Sequence, residues 1–101
     1  MIRRLVETLV RGRSLRRRMP RDYGRRPIYL SPDAALSCLR LRVARSFQGL
    51  FDIASRFVTT GCRVCDVGGN VGVFTFAAAH RAGREGHVVA IEADPFLASL
   101  L

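Results

Sequence analysis

Lysine is absent from the 101-residue chain: every one of the 17 Lys+Arg positions is arginine. An all-arginine pattern reflects a G+C-rich coding sequence before it reflects a functional demand, so it identifies no partner. Long hydrophobic runs are missing as well. The uninterrupted apolar stretches fall far short of the roughly 20 residues that cross a bilayer, so no membrane span is expected. The N-terminus has arginines but neither an apolar h-region nor a small-residue cleavage site, which argues against a secretory signal. Cysteine is sparse and odd in number, at three (Cys38, Cys62 and Cys65). Without a secretory signal, that count does not read as a disulfide framework. Together these absences lead to the expectation of a soluble, cytoplasmic protein in a reducing compartment.

Acidic residues are few, 8 in all, which leaves a net charge of +9. The excess is concentrated. Residues 1–27 hold ten arginines against Glu7 and Asp22, whereas residues 28–101 are nearly neutral. What is plentiful is apolar character, at 49%. This argues against wholesale disorder. One small domain fits the length. A chain this size buries ~60–65% of its unfolded surface, enough for a modest core.

Three regions follow from the pattern. Residues 1–27 read as a basic, partly helical arm and linker, because Ile2, Leu5, Val6, Leu9 and Val10 have helical spacing. Gly12 and Pro20 limit that helix, and residues 19–33 carry three prolines and a glycine, as a linker would. Residues 28–47 are of uncertain type. Ser31-Pro32 would open a helix as N-cap and first residue, but Leu39, Leu41 and Val43 alternate and leave strand open. From residue 48 the order is clearer. Leu50, Phe51, Ala54, Phe57 and Val58 share one helical face, and Thr59-Thr60-Gly61 ends that helix. "CRVCDV" reads as a buried strand, "NVGVFTFAAAHRA" as a helix closed by Gly83, and "HVVAIE" as a second strand. Asp94 and Pro95 then begin another helix. Alternation of this kind predicts an α/β fold with a βαβ unit and a parallel sheet.

The turn after the first of these strands is "DVGGNVG", Asp66 to Gly72. In a βαβ unit that turn lies at the carboxyl edge of the sheet, where ligands bind. Glycine lets the backbone approach a ligand closely, and the following helix N-terminus favours an anion. The dinucleotide fingerprint G-x-G-x-x-G is not met, because Asn70 stands where its second glycine would be. The pattern present is D-x-G-x-N-x-G, formed by Asp66, Gly68, Asn70 and Gly72. Glu92 closes the next strand, where a carboxylate accepts hydrogen bonds from a ribose diol.

The stretch "VCDVGGNVGVFTFAAAHRAGREGHVVAIEADP" resembles the first βαβ half of class I S-adenosylmethionine-dependent methyltransferases. More narrowly, it resembles the FkbM-type family, whose first motif reads D-V-G-A-N-x-G. "TTGCRV" matches the family's lead-in and "AIEADP" its acidic second motif. The resemblance covers residues 48–101. It implies a Rossmann-like fold and S-adenosylmethionine as cofactor, with Gly68 and Gly72 under the methionine part. Asp66 would orient that end, Glu92 would hold the ribose, and Ala93 and Asp94 would border the adenine. Gly69 replaces the family's usual alanine, a change expected to be sterically harmless. The implied reaction is O-methyl transfer to a sugar or small-metabolite hydroxyl. A complete domain of this type has further strands that build the acceptor site. The expectation is therefore a partial domain, truncated after the second strand and inactive alone, with open sheet edges prone to self-association. The rival readings are a non-catalytic nucleotide-binding module and an NAD(P)-dependent reductase fragment. A basic membrane- or nucleic-acid-binding peptide comes third.

Cys62 and Cys65 form C-x-x-C without a second pair, so core cysteines are favoured over metal or redox chemistry. His80 and His87 read as surface residues, and Phe74 and Phe76 as core. No residue reads as a catalytic base. For the arginine arm, a solvated or loosely ordered extension is the first reading and peripheral contact with an anionic membrane the second. Nucleic acid is disfavoured, because the arm has a single tyrosine, Tyr23, and no recognisable binding module.

Overall fold

A computed structural model describes residues 1–34 and 42–101. The amphipathic start forms helix α1 (Ile2–Val10), in which none of the side chains is fully buried. Arg3 and Glu7 pair at 2.9 Å on its outer side, an i,i+4 arrangement that supports an exposed helix only slightly. The Gly12 N–H donates to Asp33 Oδ2 at 2.9 Å, which ties the end of α1 to the chain beyond the next two strands.

The arm is not a loose extension beyond this point. Strand β1 (Leu15–Arg18) pairs antiparallel with β2 (Pro27–Leu30), with Leu15 opposite Leu30 and Arg18 opposite Pro27. A single 3-10 turn at Arg21–Tyr23, ended by Gly24 at φ +80°, sits within the connection. Residues expected as a linker thus build a hairpin, because their apolar members have somewhere to go. Met19, Tyr23, Ile28 and Leu30 are all buried, while Tyr29 between the last two points outward. Pro27 opens its strand, a position that tolerates the missing N–H.

After β2, Ser31 makes a turn in which its hydroxyl accepts the Asp33 N–H at 3.2 Å. The helix-or-strand question at residues 35–41, with Cys38, lies outside the described residues. Val43–Ser46 is a short helix, α2, followed by α3 (Gln48–Phe57). The inward face of α3 carries Phe51 and Ala54, continued by Val58; Phe57, expected on it, is exposed with the Arg56 guanidinium 5.5 Å from its ring. The Tyr23 hydroxyl donates to the Phe51 carbonyl at 3.1 Å, and the two rings lie 4.9 Å apart. The arm's hairpin and α3 therefore share one core.

The βαβ unit forms as the alternation predicts. Strand β3 (Arg63–Val67), helix α4 (Val73–Ala82) and strand β4 (His87–Ile91) follow in order, and β3 pairs parallel with β4 from Arg63–His87 to Val67–Ile91. Ala78 and Ala82 of α4 pack with Val58, Val64 and Val88. Such small side chains bring the helix close to the sheet. A Cβ on Gly86 would overlap that of Ala82 and lie 2.8 Å from the Ala82 carbonyl oxygen, so only glycine fits.

The strands are covered on one face only. Val67, Val89 and Ile91, on the other face, are 76%, 59% and 53% exposed. Cys65 shares that face and is exposed, which corrects its assignment to the core; Cys62 is half-buried and bonded to Thr59. Among the described residues nothing supplies the second layer that normally covers a parallel sheet. The architecture is thus a small α/β domain with one antiparallel and one parallel two-stranded sheet. Helix α5 (Pro95–Leu100) packs Leu97 into the core near β2. Its Asp94 cap accepts N–H groups from Phe96 and Leu97 at 2.9 and 3.3 Å. No described helix is long and apolar enough to cross a membrane.

Candidate functional site

Three residues of the β3–α4 loop occupy left-handed backbone space: Gly68 at φ +77°, Asn70 at +56° and Gly72 at +92°. Glycine adopts that region without a Cβ clash, and asparagine tolerates it better than most residues. Asn70 is therefore a conformational requirement of the loop as well as a break in the dinucleotide spacing.

The loop is fastened to the end of β4. The Gly68 and Gly69 N–H groups both donate to the Ile91 carbonyl, at 2.7 and 3.0 Å. Glu92 Oε2 accepts the Asn70 N–H at 2.7 Å, while its Oε1 accepts the Asp94 N–H at 2.9 Å. These backbone hydrogen bonds, from Asp94 and then Asn70, hold the Glu92 carboxyl below its ordinary value. Each carboxylate oxygen can accept more than one hydrogen bond, so this use leaves capacity for a further donor.

Beside the loop lies a cavity of about 420 Å³. Asp66, Gly68, Gly69 and Asn70 form one side, and Phe47, Leu50, Ile53, Val73 and Phe74 form an apolar wall. Asp66 is the single charged group among the described lining residues. It is half-buried, and its Oδ2 accepts the Thr75 hydroxyl at 2.6 Å. Thr75 went unnoticed in the sequence, although it is the one hydroxyl in the apolar run "VFTFAAA". The contribution of α3 to the wall was equally unforeseen: Leu50, expected on the core face, lines the cavity instead, together with Ile53 beside that stripe.

The other expected site residues are placed differently. Gly72 is buried and does not line the cavity; a Cβ there would lie 2.6 Å from Leu101 Cδ2 and 2.8 Å from Phe76 Cε2. Ala93 is exposed. Asp94 caps α5 and borders a different cavity, of about 610 Å³, with Arg3, Arg4 and Arg11 of the arm. At Gly69 a Cβ would lie 3.2 Å from the Ala90 Cβ, so alanine there needs its neighbour to give by a few tenths of an ångström.

Elsewhere, the Cys62 thiol accepts or shares hydrogen bonds with the Thr59 hydroxyl and N–H at 3.2 and 3.3 Å, which lower its pKa. His80 is exposed, its ring 5.9 Å from that of Tyr23. Among the described residues no group of three or more His, Cys, Asp or Glu side chains is arranged to hold a metal ion.

Chemically, the cavity offers a fixed carboxylate beside apolar surface. The N–H groups of Gly68, Gly69 and Asn70 are already engaged, so they are not presented as a cradle for phosphate. The arrangement suits a ligand with a cationic and an apolar part better than a pyrophosphate. The chain matches no protein-family model, no curated protein and no solved structure.

Proposed function

We propose that residues 48–101 are the cofactor half of a Rossmann-like, FkbM-type methyltransferase domain that binds S-adenosylmethionine. The observation that carries the reading is the cavity at the carboxyl end of β3, with Asp66 as its charged group and a wall from α3 and α4. A parallel βαβ unit puts ligands at that edge. S-adenosylmethionine carries an ammonium and a carboxylate on a short apolar chain that leads to a sulfonium, with a ribose beyond it; its two cationic groups match a carboxylate set in apolar surface. Bound there, it would supply an electrophilic methyl group for transfer to a hydroxyl of a sugar or other small metabolite.

The chain's own residues have separate tasks in this reading. Asp66, steadied by Thr75, would orient the amino-acid end, and Gly68 and Gly69 would let it lie close to the backbone. Phe47, Leu50, Ile53 and Phe74 would exclude water from the sulfonium methyl group. Glu92 would use its remaining acceptor capacity on the ribose diol while holding the loop at Asn70. Catalysis of this kind relies on positioning, and no described residue is assigned as a base.

An NAD(P)-dependent reductase is disfavoured twice, by the spacing at Asn70 and by the engaged loop N–H groups facing a carboxylate. A nucleotide-binding module without catalysis uses the same site, and only turnover separates it from the methyltransferase reading. Titration calorimetry on the 101-residue chain tests the cofactor assignment. Saturable binding of S-adenosylmethionine, with none of NADH, is expected. The reverse preference, or no heat with either, would sink it.

A further inference from the structure

Helix α1 is built with two faces, and among the described residues neither supplies a buried core side chain. At about 100° per residue, Ile2, Leu5, Val6, Leu9 and Val10 gather in an arc of about 140°, with Arg3, Arg4, Glu7 and Thr8 opposite. Met1 is fully exposed, and Ile2, Leu5 and Leu9 are 79%, 61% and 60% exposed. A nine-residue helix with unpartnered leucines thus leads a segment that carries ten arginines against two carboxylates by residue 27. The Gly12–Asp33 hydrogen bond holds the far end of this helix against the body of the protein.

We propose that α1 is a docking surface for an anionic lipid bilayer. Met1, Ile2, Leu5 and Leu9 enter the boundary between headgroups and acyl chains, while the arginines that follow the helix, from Arg13 onward, meet the lipid phosphates; Arg3 and Arg4 stay on the side that faces Asp33 and Asp94. An apolar stripe beside concentrated positive charge is the combination that such an interface selects. At about 1.5 Å per residue the helix is about 14 Å long, so it lies on a membrane and does not span one. Two other occupants fit less well. A nucleic acid would engage the arginines but leave the leucines in water. A second copy could offer its open β3–β4 face, but Arg63 and His87 stand on that face.

Co-sedimentation of the intact chain with vesicles tests the proposal. The comparison is phosphatidylcholine alone against phosphatidylcholine mixed with phosphatidylglycerol. Binding is expected to the mixed vesicles only and to weaken as salt rises. The double variant Leu5→Ser/Leu9→Ser keeps every charge and removes much of the apolar stripe. It should lose affinity on the order of a hundred-fold, from the transfer free energy of two leucines. Neither leucine belongs to the core, so the variant should keep its circular dichroism and unfolding midpoint. Absence of binding to the anionic vesicles, or undiminished binding by a folded double variant, overturns the proposal. So does tighter binding to duplex DNA that ignores both substitutions. Self-association that the substitutions abolish, without vesicle binding, would assign the stripe to a second copy instead.

Discussion

Glu92, at the end of β4, accepts the backbone N–H of Asn70 across the sheet edge at 2.7 Å. This bond fixes a left-handed residue of the glycine loop to the neighbouring strand with a charged acceptor. A second bond, from the Asp94 N–H, makes Glu92 the junction of loop, strand and α5.

The junction should be sensitive to acid. Because backbone donors hold the Glu92 carboxyl below its ordinary value, its contribution to stability is full above the ordinary carboxylate range. It disappears as pH falls through the depressed folded value. The Asn70 and Asp94 amide resonances should shift together over that acidic window. In Glu92→Gln the shared transition should vanish, and S-adenosylmethionine affinity should drop by about ten-fold or more. An unchanged titration of the two amides in the variant would detach Glu92 from the loop.

Two glycines three residues apart should behave differently on replacement by alanine. Gly72→Ala combines φ +92° with contacts to Leu101 and Phe76 that are too short. A loss of about 2–4 kcal/mol is expected in urea unfolding. Gly69→Ala meets the Ala90 Cβ at 3.2 Å and Thr75 Oγ1 at 3.4 Å with ordinary backbone angles, and should change stability by less than about 1 kcal/mol. Equal losses at both positions would contradict the geometry.

Thr75 is expected to act through Asp66. Thr75→Val removes the hydroxyl that Asp66 accepts at 2.6 Å and should weaken S-adenosylmethionine binding several-fold, while Thr75→Ser restores it. A cofactor affinity indifferent to both changes would leave the hydroxyl as packing alone.

Tyr23→Phe tests whether the arm's hairpin is held to α3. Losing the hydroxyl that donates to the Phe51 carbonyl should cost about 1 kcal/mol in denaturant unfolding. The ring packing against Phe51 should survive, so the slope of the transition should not change.

The second half of the chain was legible because its signals are local. Gly61, Gly83 and Gly86 bound short apolar runs, and Asp94-Pro95 announces a helix start, so β3, α4, β4 and α5 follow from residue type and spacing. The hairpin was not legible. "LRRR" has no apolar alternation, and its partner "PIYL" sits among prolines that suggest a linker; both become strands because Ile28 and Leu30 find Phe51 and Val73 in the core. Exposure of Cys65, Val67, Val89 and Ile91 was equally hidden, since a run of apolar residues says that a strand can be buried on both faces, not that a second layer exists. At the site, the sequence indicated the loop and Glu92. The bond between them, the wall from α3 and the turn of Thr75 toward Asp66 are tertiary relationships that spacing does not encode.

Met19 and Tyr23 lie in the same core cluster as Val71 and Val73, which flank the last turn of the glycine loop. A protein engineer who trimmed residues 1–27 as a disposable basic tag would remove two side chains of the core cluster that also holds Val71 and Val73. The shortened chain would keep every residue of the motif and lose part of the core it shares.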